Sequence, residues 1–149
     1  MTFAAVIVDT NVVVAGLLTA DGASPVARIV DGMLNAAFPF VVSEALLTEY
    51  RTVLVRPGVR KRHGLSNHEV DTILTDLVRH AIVLAPATPE NAAVAPDPGD
   101  QSLWNLLATR SDLVLVTGDK LLLRHRSTQG RVISPRQFVD GIGGGSRSA

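Results

Sequence analysis

The chain has 149 residues, 46% of them hydrophobic, and its 14 basic and 14 acidic residues leave no formal net charge. This composition predicts one globular domain. Because no apolar run reaches the roughly 20 residues of a membrane span and no cleavable leader is evident, we expect a soluble, cytoplasmic protein. Cysteine is absent, which excludes disulfides, thiolate catalysis and cysteine-bound zinc, and the four scattered histidines leave oxygen atoms as the ligands of any metal.

Short apolar runs alternate with helical patterns along the whole chain. Ser24-Pro25 predicts an N-cap and the first residue of a helix, Ser66 to Glu69 is a capping-box pattern, and Pro57-Gly58 is expected to stop the preceding helix. The predicted elements are a strand over 6–8, helices over 12–18 and 25–35, a strand over 40–42, helices over 44–55 and 67–80, a strand over 81–84, a loop over 86–98, a helix over 98–110, a strand over 113–117, a short helix over 121–123, a strand at 132–133 and a turn of helix after 134.

Strands that alternate with helices predict a mainly parallel sheet of about five strands, covered by helices on both faces. The expected fold class is therefore a three-layer α/β/α domain. We assign residues 1–140 to this single domain and residues 141–149, which are rich in glycine and serine, to a flexible tail.

Four acidic residues are expected at one end of this sheet. Asp9 and Asp119 follow two strands, Asp100 lies in the first turn of a helix, and Glu49 is predicted on the inward face of its helix. Carboxylates so close together repel one another, so the cluster predicts a hard divalent cation, Mg²⁺ or Mn²⁺, which suits phosphodiester cleavage. Taken singly, Asp9 is equally well explained as a helix cap and Asp119 as a turn residue.

The third carboxylate has two candidates. Asp97-Pro98-Gly99-Asp100 predicts an N-cap, a proline at the first helical position and an acid three residues after the cap. Asp97 would then accept hydrogen bonds from backbone N–H groups, which leaves Asp100 free to bind metal. Asn11 and Thr117 stand beside the acids, and their side chains either support the carboxylates or satisfy the local backbone.

Four segments of the chain follow one another in a familiar order. They are Val6-Ile7-Val8-Asp9-Thr10-Asn11, Val42-Ser43 with Glu49-Tyr50, Asp97-Pro98-Gly99-Asp100, and Leu115-Val116-Thr117-Gly118-Asp119 with Leu121-Leu122. Together they resemble the motifs of PIN-domain proteins, over residues 5 to about 139, and most closely the toxin-like PIN proteins of prokaryotic toxin–antitoxin systems, relatives of the VapC toxins. The resemblance implies a PIN-like fold and an endoribonuclease that uses Mg²⁺ or Mn²⁺ held by Asp9, Glu49, Asp100 and Asp119. It further implies a small antitoxin partner and a homodimer.

Basic residues are concentrated in one stretch that begins on the helix of Glu49 and comprises Arg51, Arg56, Arg60, Lys61 and Arg62. Arg56, Arg60, Lys61 and Arg62 are expected to contact the phosphates of RNA and guide it into the acidic site. The alternative is a solvated helix end, because lysine and arginine favour helix C-termini in any case.

Three other functions are alternatives to a nuclease. A haloacid-dehalogenase-like phosphatase requires a second Asp two residues after Asp9, where Asn11 stands. A phosphoacceptor receiver domain requires an Asp at the end of the third strand, and residues 83–85 provide none. A non-catalytic PIN-like module that binds RNA or a protein stays open, and divalent-dependent cleavage of RNA separates the two classes.

Overall fold

The computed structural model describes residues 5–86, 94–125 and 131–148, with side chains described as far as residue 141. The predicted alternation of strands and helices is confirmed there, with one helix more than expected. The elements are β1 (Ala5–Val8), α1 (Thr10–Leu18), α2 (Pro25–Leu34), β2 (Val41–Val42), α3 (Glu44–Leu54), α4 (Pro57–His63), α5 (Asn67–Val78), β3 (Ile82–Val83), a 3-10 turn (Pro98–Asp100), α6 (Gln101–Leu107), β4 (Leu113–Val116), α7 (Lys120–Leu123), β5 (Val132–Ile133) and α8 (Pro135–Ser148).

The described strands pair in parallel throughout. β1 pairs with β4, β4 with β5 and β2 with β3, and a single bridge between Val6 and Phe40 joins the two groups. The strands therefore lie in the order β3-β2-β1-β4-β5, which confirms the predicted parallel sheet. At the junction between the two groups, the backbone N–H of Val6 donates to the carbonyl oxygen of Pro39 at 3.2 Å.

The central strands are enclosed on both faces. All four residues of β1 are fully buried, and β4 is almost as deeply buried, which requires a layer of helices on each side of the sheet. The architecture is the predicted three-layer α/β/α domain. α1 follows β1 directly and packs against α3, so that two helices border the carboxyl end of the central strand.

Two predicted helix starts are present with their hydrogen bonds. The Ser24 hydroxyl accepts from the backbone N–H of Ala27 and is followed by a proline at the first helical position of α2. Ser66 and Glu69 form both bonds of a capping box at the start of α5. These short-range signals fix where the helices begin because each satisfies backbone N–H groups that the first turn leaves unpaired.

The prediction that Pro57-Gly58 stops the preceding helix is confirmed, but the helix that follows was not predicted. α3 ends at Leu54, and Pro57 opens the separate helix α4 with Arg56 as its N-cap. A proline has no N–H to lose in the first turn, and its fixed φ suits a helix start as well as a stop. The basic residues 60–62 therefore lie on α4, a helix that was not predicted.

Smaller differences concern both ends of the chain. α1 begins at Thr10, two residues earlier than expected, and α8 runs over Pro135–Ser148 where one turn was expected. The flexibility assigned to residues 141–149 stays a prediction, and part of the loop predicted over 86–98 lies outside the described residues. In the described ranges, no helix combines the length and apolar character of a membrane span.

Candidate active site

The four predicted acids line one pocket at the carboxyl ends of the parallel strands. Asp9, Glu49, Asp100 and Asp119 all face a cavity of about 650 Å³ that also touches α1, α3 and α4. β1 and β4 are parallel neighbours, so the residues that follow them, Asp9 and Asp119, emerge at the same edge of the sheet. This is where parallel α/β proteins place their ligand sites.

Asp9 is the most enclosed of the four. Its side chain is part of a residue only 6% exposed, and its Oδ2 accepts hydrogen bonds from the Thr117 hydroxyl at 2.7 Å and from the Asn11 amide at 3.4 Å. Burial raises the pKa of Asp9 to about 6; the Thr117 hydrogen bond opposes the shift, and the charges of Asp100 and Glu49 add to it. Asp9 is a fixed carboxylate whose negative charge is costly without a cation nearby.

Asn11 and Thr117 join the two loops that follow β1 and β4. The Asn11 side chain accepts from the backbone N–H of Gly118 at 3.1 Å, and the Thr117 oxygen accepts from the backbone N–H of Asp119 at 3.0 Å. Asn11 and Thr117 therefore each support the carboxylate of Asp9 and satisfy a local backbone N–H group. The sequence had left these two roles as alternatives.

Glu49 differs from its prediction in one respect. Its residue is exposed, although an inward position was expected, because the pocket that it lines is open to solvent. The buried Thr10 hydroxyl donates to its Oε2 at 2.5 Å. The adjacent Tyr50 is fully buried and donates to the carbonyl oxygen of Val8. These two hydrogen bonds hold α3 against the end of β1. Tyr50 was not among the predicted site residues.

Asp97 caps the turn that follows it, as the sequence predicted, but this is a 3-10 turn, and α6 begins only at Gln101 with Asp100 at its N-cap position. Asp97 is exposed and its Oδ1 accepts from the backbone N–H of Gly99 at 2.9 Å. Asp100 makes no capping bond with its side chain and lines the pocket. Partial burial is the main cause that raises the pKa of Asp100, followed by the charges of Asp97, Asp119 and Glu49. The cap and the pocket carboxylate are thus separate residues.

Asp119 both caps a helix and lines the pocket. Its Oδ1 accepts from the backbone N–H of Leu121 at 2.9 Å, as the N-cap of α7, and its side chain also lines the pocket. A carboxylate has two oxygens, so the cap leaves one oxygen available to a ligand.

The chemistry of the acids suits a hard divalent cation, but they do not form a closed cage. In the described residues, no three His, Asp or Glu side chains are close enough together to hold one ion. The ion pairs found within the described residues are Arg51–Asp71, Arg79–Asp76 and Arg110–Asp112, so none of them neutralises the four pocket acids. An all-oxygen donor set of mutually repelling carboxylates is the kind that Mg²⁺ or Mn²⁺ prefers. By donor type the residues fit such an ion, with side-chain movement needed to enclose it.

The basic residues divide between two surfaces. Arg56 and Arg62 line the acidic pocket. Arg60 and Lys61 instead line a separate groove that they share with Glu69. The structure therefore brings only two of the four predicted RNA-binding residues next to the acids.

The fold and the pocket define a parallel α/β/α domain with an acidic site at the carboxyl ends of its strands. The chain belongs to the PIN domain family, since the family model matches residues 5–121. This range contains the pocket acids Asp9, Glu49, Asp100 and Asp119. PIN domains are typically metal-dependent nucleases. No curated protein sequence matches the chain.

Proposed function

We propose that this chain is an endoribonuclease that cleaves RNA phosphodiester bonds with Mg²⁺ or Mn²⁺. One observation supports this above all others. In a PIN domain, Asp9, Glu49, Asp100 and Asp119 line a single open pocket without a recorded ion pair among the described residues. Such a pocket is suited to a divalent cation and to an anionic substrate that the cation would attract.

The protein's own contribution is to place the carboxylates. A divalent ion, when bound, would polarise a water molecule and neutralise charge on the cleaved phosphate. Asp9 has the least freedom to move, because Thr117 and Asn11 both bond its Oδ2, so it would be the central ligand. Asp100 and the second oxygen of Asp119 would complete the site, and Glu49, oriented by Thr10, would bind the ion or its water.

We further propose that the protein is the toxin component of a toxin–antitoxin system and acts on RNA in the cytoplasm. The support is the resemblance of its ordered motifs to toxin-like PIN proteins. A small antitoxin would cover the acidic pocket, and the toxin would form a two-fold dimer. A monomer by light scattering at micromolar concentration and above would contradict the dimer.

The decisive variant is Asp9→Asn, which keeps the shape of the side chain and removes its charge. Wild-type protein should cut a mixed RNA pool with Mg²⁺ or Mn²⁺ and stop when a chelator is added. Asp9→Asn should retain the fold and lose more than about 100-fold of the cleavage rate, beyond the loss typical of a residue that only supports a ligand. Asp31→Asn, an exposed acid on α2, is the matched control. Full cleavage by purified Asp9→Asn would refute the site.

A non-catalytic RNA-binding module is the second candidate. It is favoured by the finding that no three acids among the described residues are close enough to hold one ion. This module would bind RNA with or without chelator and leave it uncut at every metal concentration. Hydrolysis of a phosphate monoester, with RNA left intact, would instead favour a phosphatase.

A further inference from the structure

The acidic pocket continues into an apolar surface that the proposed cleavage does not use. The face of α1 that lines the pocket starts with Thr10 and Asn11 beside the acids and continues with Val14, Ala15 and Leu18. Spacings of four residues keep side chains on one side of a helix. The same helix face is therefore polar at its beginning and apolar at its end.

α3 shows a similar change of character along its length. Glu49, then Val53, and then Arg56 just beyond the end of the helix all line the pocket. At about 1.5 Å of rise per residue, Glu49 and Arg56 are separated by about 10 Å along the helix direction. Arg62 of α4 adds a second cation to this lining. Acidic, apolar and basic side chains thus follow one another within one cavity.

The apolar part of the lining is not simply the edge of the core. Val14 and Leu17 pack against the hydrophobic core, whereas the half-buried Leu18 and Val53 line the pocket without belonging to that core cluster. Apolar surface of this kind favours a ligand group with an apolar face. A nucleotide offers such a face in its base, and its phosphates match the two arginines in charge. The cavity, at about 650 Å³, lies within the usual size of ligand sites.

We propose that Val14, Leu18 and Val53 form a nucleobase subsite beside the phosphate that the acids act on, and that Arg56 and Arg62 hold the next phosphate. This inference rests on the proposed function, because it takes RNA as the substrate, and it narrows that substrate to single-stranded RNA. A base within a duplex is stacked and paired, so its flat faces cannot reach a protein surface.

The test compares two fluorescent oligonucleotides of equal length and charge by anisotropy. One is a short single-stranded RNA, and the other has the same sugar-phosphate backbone with abasic sites in place of bases. Asp9→Asn protein with Mg²⁺ is used, since it leaves the probes uncut. We expect it to bind the RNA about tenfold more tightly than the abasic probe, because tenfold corresponds to about 1.4 kcal/mol, which burial of roughly 55 Å² of apolar surface provides.

Val53→Thr should then reduce the preference for the RNA to about twofold and leave binding of the abasic probe unchanged, because a hydroxyl replaces one apolar methyl at nearly constant shape. Val78→Thr is the matched control, since Val78 is half-buried in a different groove. Arg56→Gln should weaken both probes equally. If Val53→Thr does not give a cooperative thermal melt, Leu18→Thr tests the same surface.

Equal binding of both probes by the Asp9→Asn protein would refute the subsite and favour a segment of a protein partner as the occupant. An equal loss for both probes in Val53→Thr would refute it too. Cleavage by the wild type is measured separately. Cutting of RNA without any base preference in binding would overturn the subsite alone, and base-dependent binding without cutting would overturn only the proposed nuclease.

Discussion

Asp97 and Asp100 provide the sharpest test of the site, because they are three residues apart and have opposite roles. Asp97 accepts a backbone hydrogen bond outside the pocket, and Asp100 makes no capping bond and faces the other acids. Asn caps a helix about as well as Asp. Asp97→Asn should therefore keep most of the stability and activity, whereas Asp100→Asn should abolish cleavage.

The size of each effect follows from these contacts. Asp97→Ala removes the acceptor of the Gly99 N–H and should cost about 1 kcal/mol, within the 0.5–2 kcal/mol range of lost caps. For a chain of this length, that corresponds to a fall in Tm of about 2–4 °C. In the metal-free protein, Asp100→Asn should instead raise the stability. It removes the charge of a partly buried carboxylate that lies near Asp97, Asp119 and Glu49 and that also raises the pKa of Asp9, so the Tm of the metal-free protein should rise.

Two measurements on the same variants complete the test. Cleavage of a labelled RNA with Mn²⁺ reports the catalytic role, and thermal melting with chelator and then with Mn²⁺ reports the charge. Mn²⁺ should raise the Tm of the wild type and of Asp97→Asn, and raise that of Asp100→Asn much less. If Asp97→Asn were inactive and Asp100→Asn active, the two assignments would have to be exchanged.

Two further predictions concern the arginines and Asp9. Replacing Arg56 and Arg62 together by Gln should lower the slope of log Kd against log salt for single-stranded RNA by about 1.4, at ~0.7 per phosphate contact. The control pair Arg60→Gln and Lys61→Gln should leave this slope nearly unchanged. An equal change of slope in the two double variants would contradict the assignment of Arg56 and Arg62 to the pocket. Burial raises the pKa of Asp9 from 3.8 to about 6, so the metal-free wild type should lose about 3 kcal/mol of stability relative to Asp9→Asn as the pH rises from about 3 to 7. Parallel stability curves in denaturant would refute that reasoning.

Local signals in the sequence were enough to place most elements and all four acids. Buried β-branched runs identified β1 and β4, and the hydroxyl caps at Ser24 and Ser66 identified the starts of two helices, each confirmed by a side-chain bond to the backbone. These features are encoded within a few residues, so one sequence is sufficient to find them. The order of the strands was not predicted, because connection rules narrow the possible topologies without selecting one.

The contacts that shape the site could not be predicted in the same way. Thr10 bonds Glu49 across 39 positions and Thr117 bonds Asp9 across 108, and nothing local indicates which partner each hydroxyl finds. The role of Tyr50 was missed for the same reason, since its bond to Val8 depends on how α3 packs against β1. Pro57 is a different case, because it was interpreted only as the end of α3, although a proline is equally suited to the first position of a new helix.

The helix that Pro57 opens determines how the basic residues are used. In an α-helix, successive side chains are about 100° apart, so three consecutive cations cannot share one face. On α4, Arg62 reaches the acidic pocket while Arg60 and Lys61 line the groove beside Glu69, whose negative charge would oppose a phosphate there. Had α3 continued past Pro57, the same residues would have extended the helix of Glu49. The break instead starts a new helix, and Arg56 at its N-cap and Arg62 within it both line the acidic pocket. If a phosphate chain enters this site as proposed, the two arginines offer it two positive charges beside the acids.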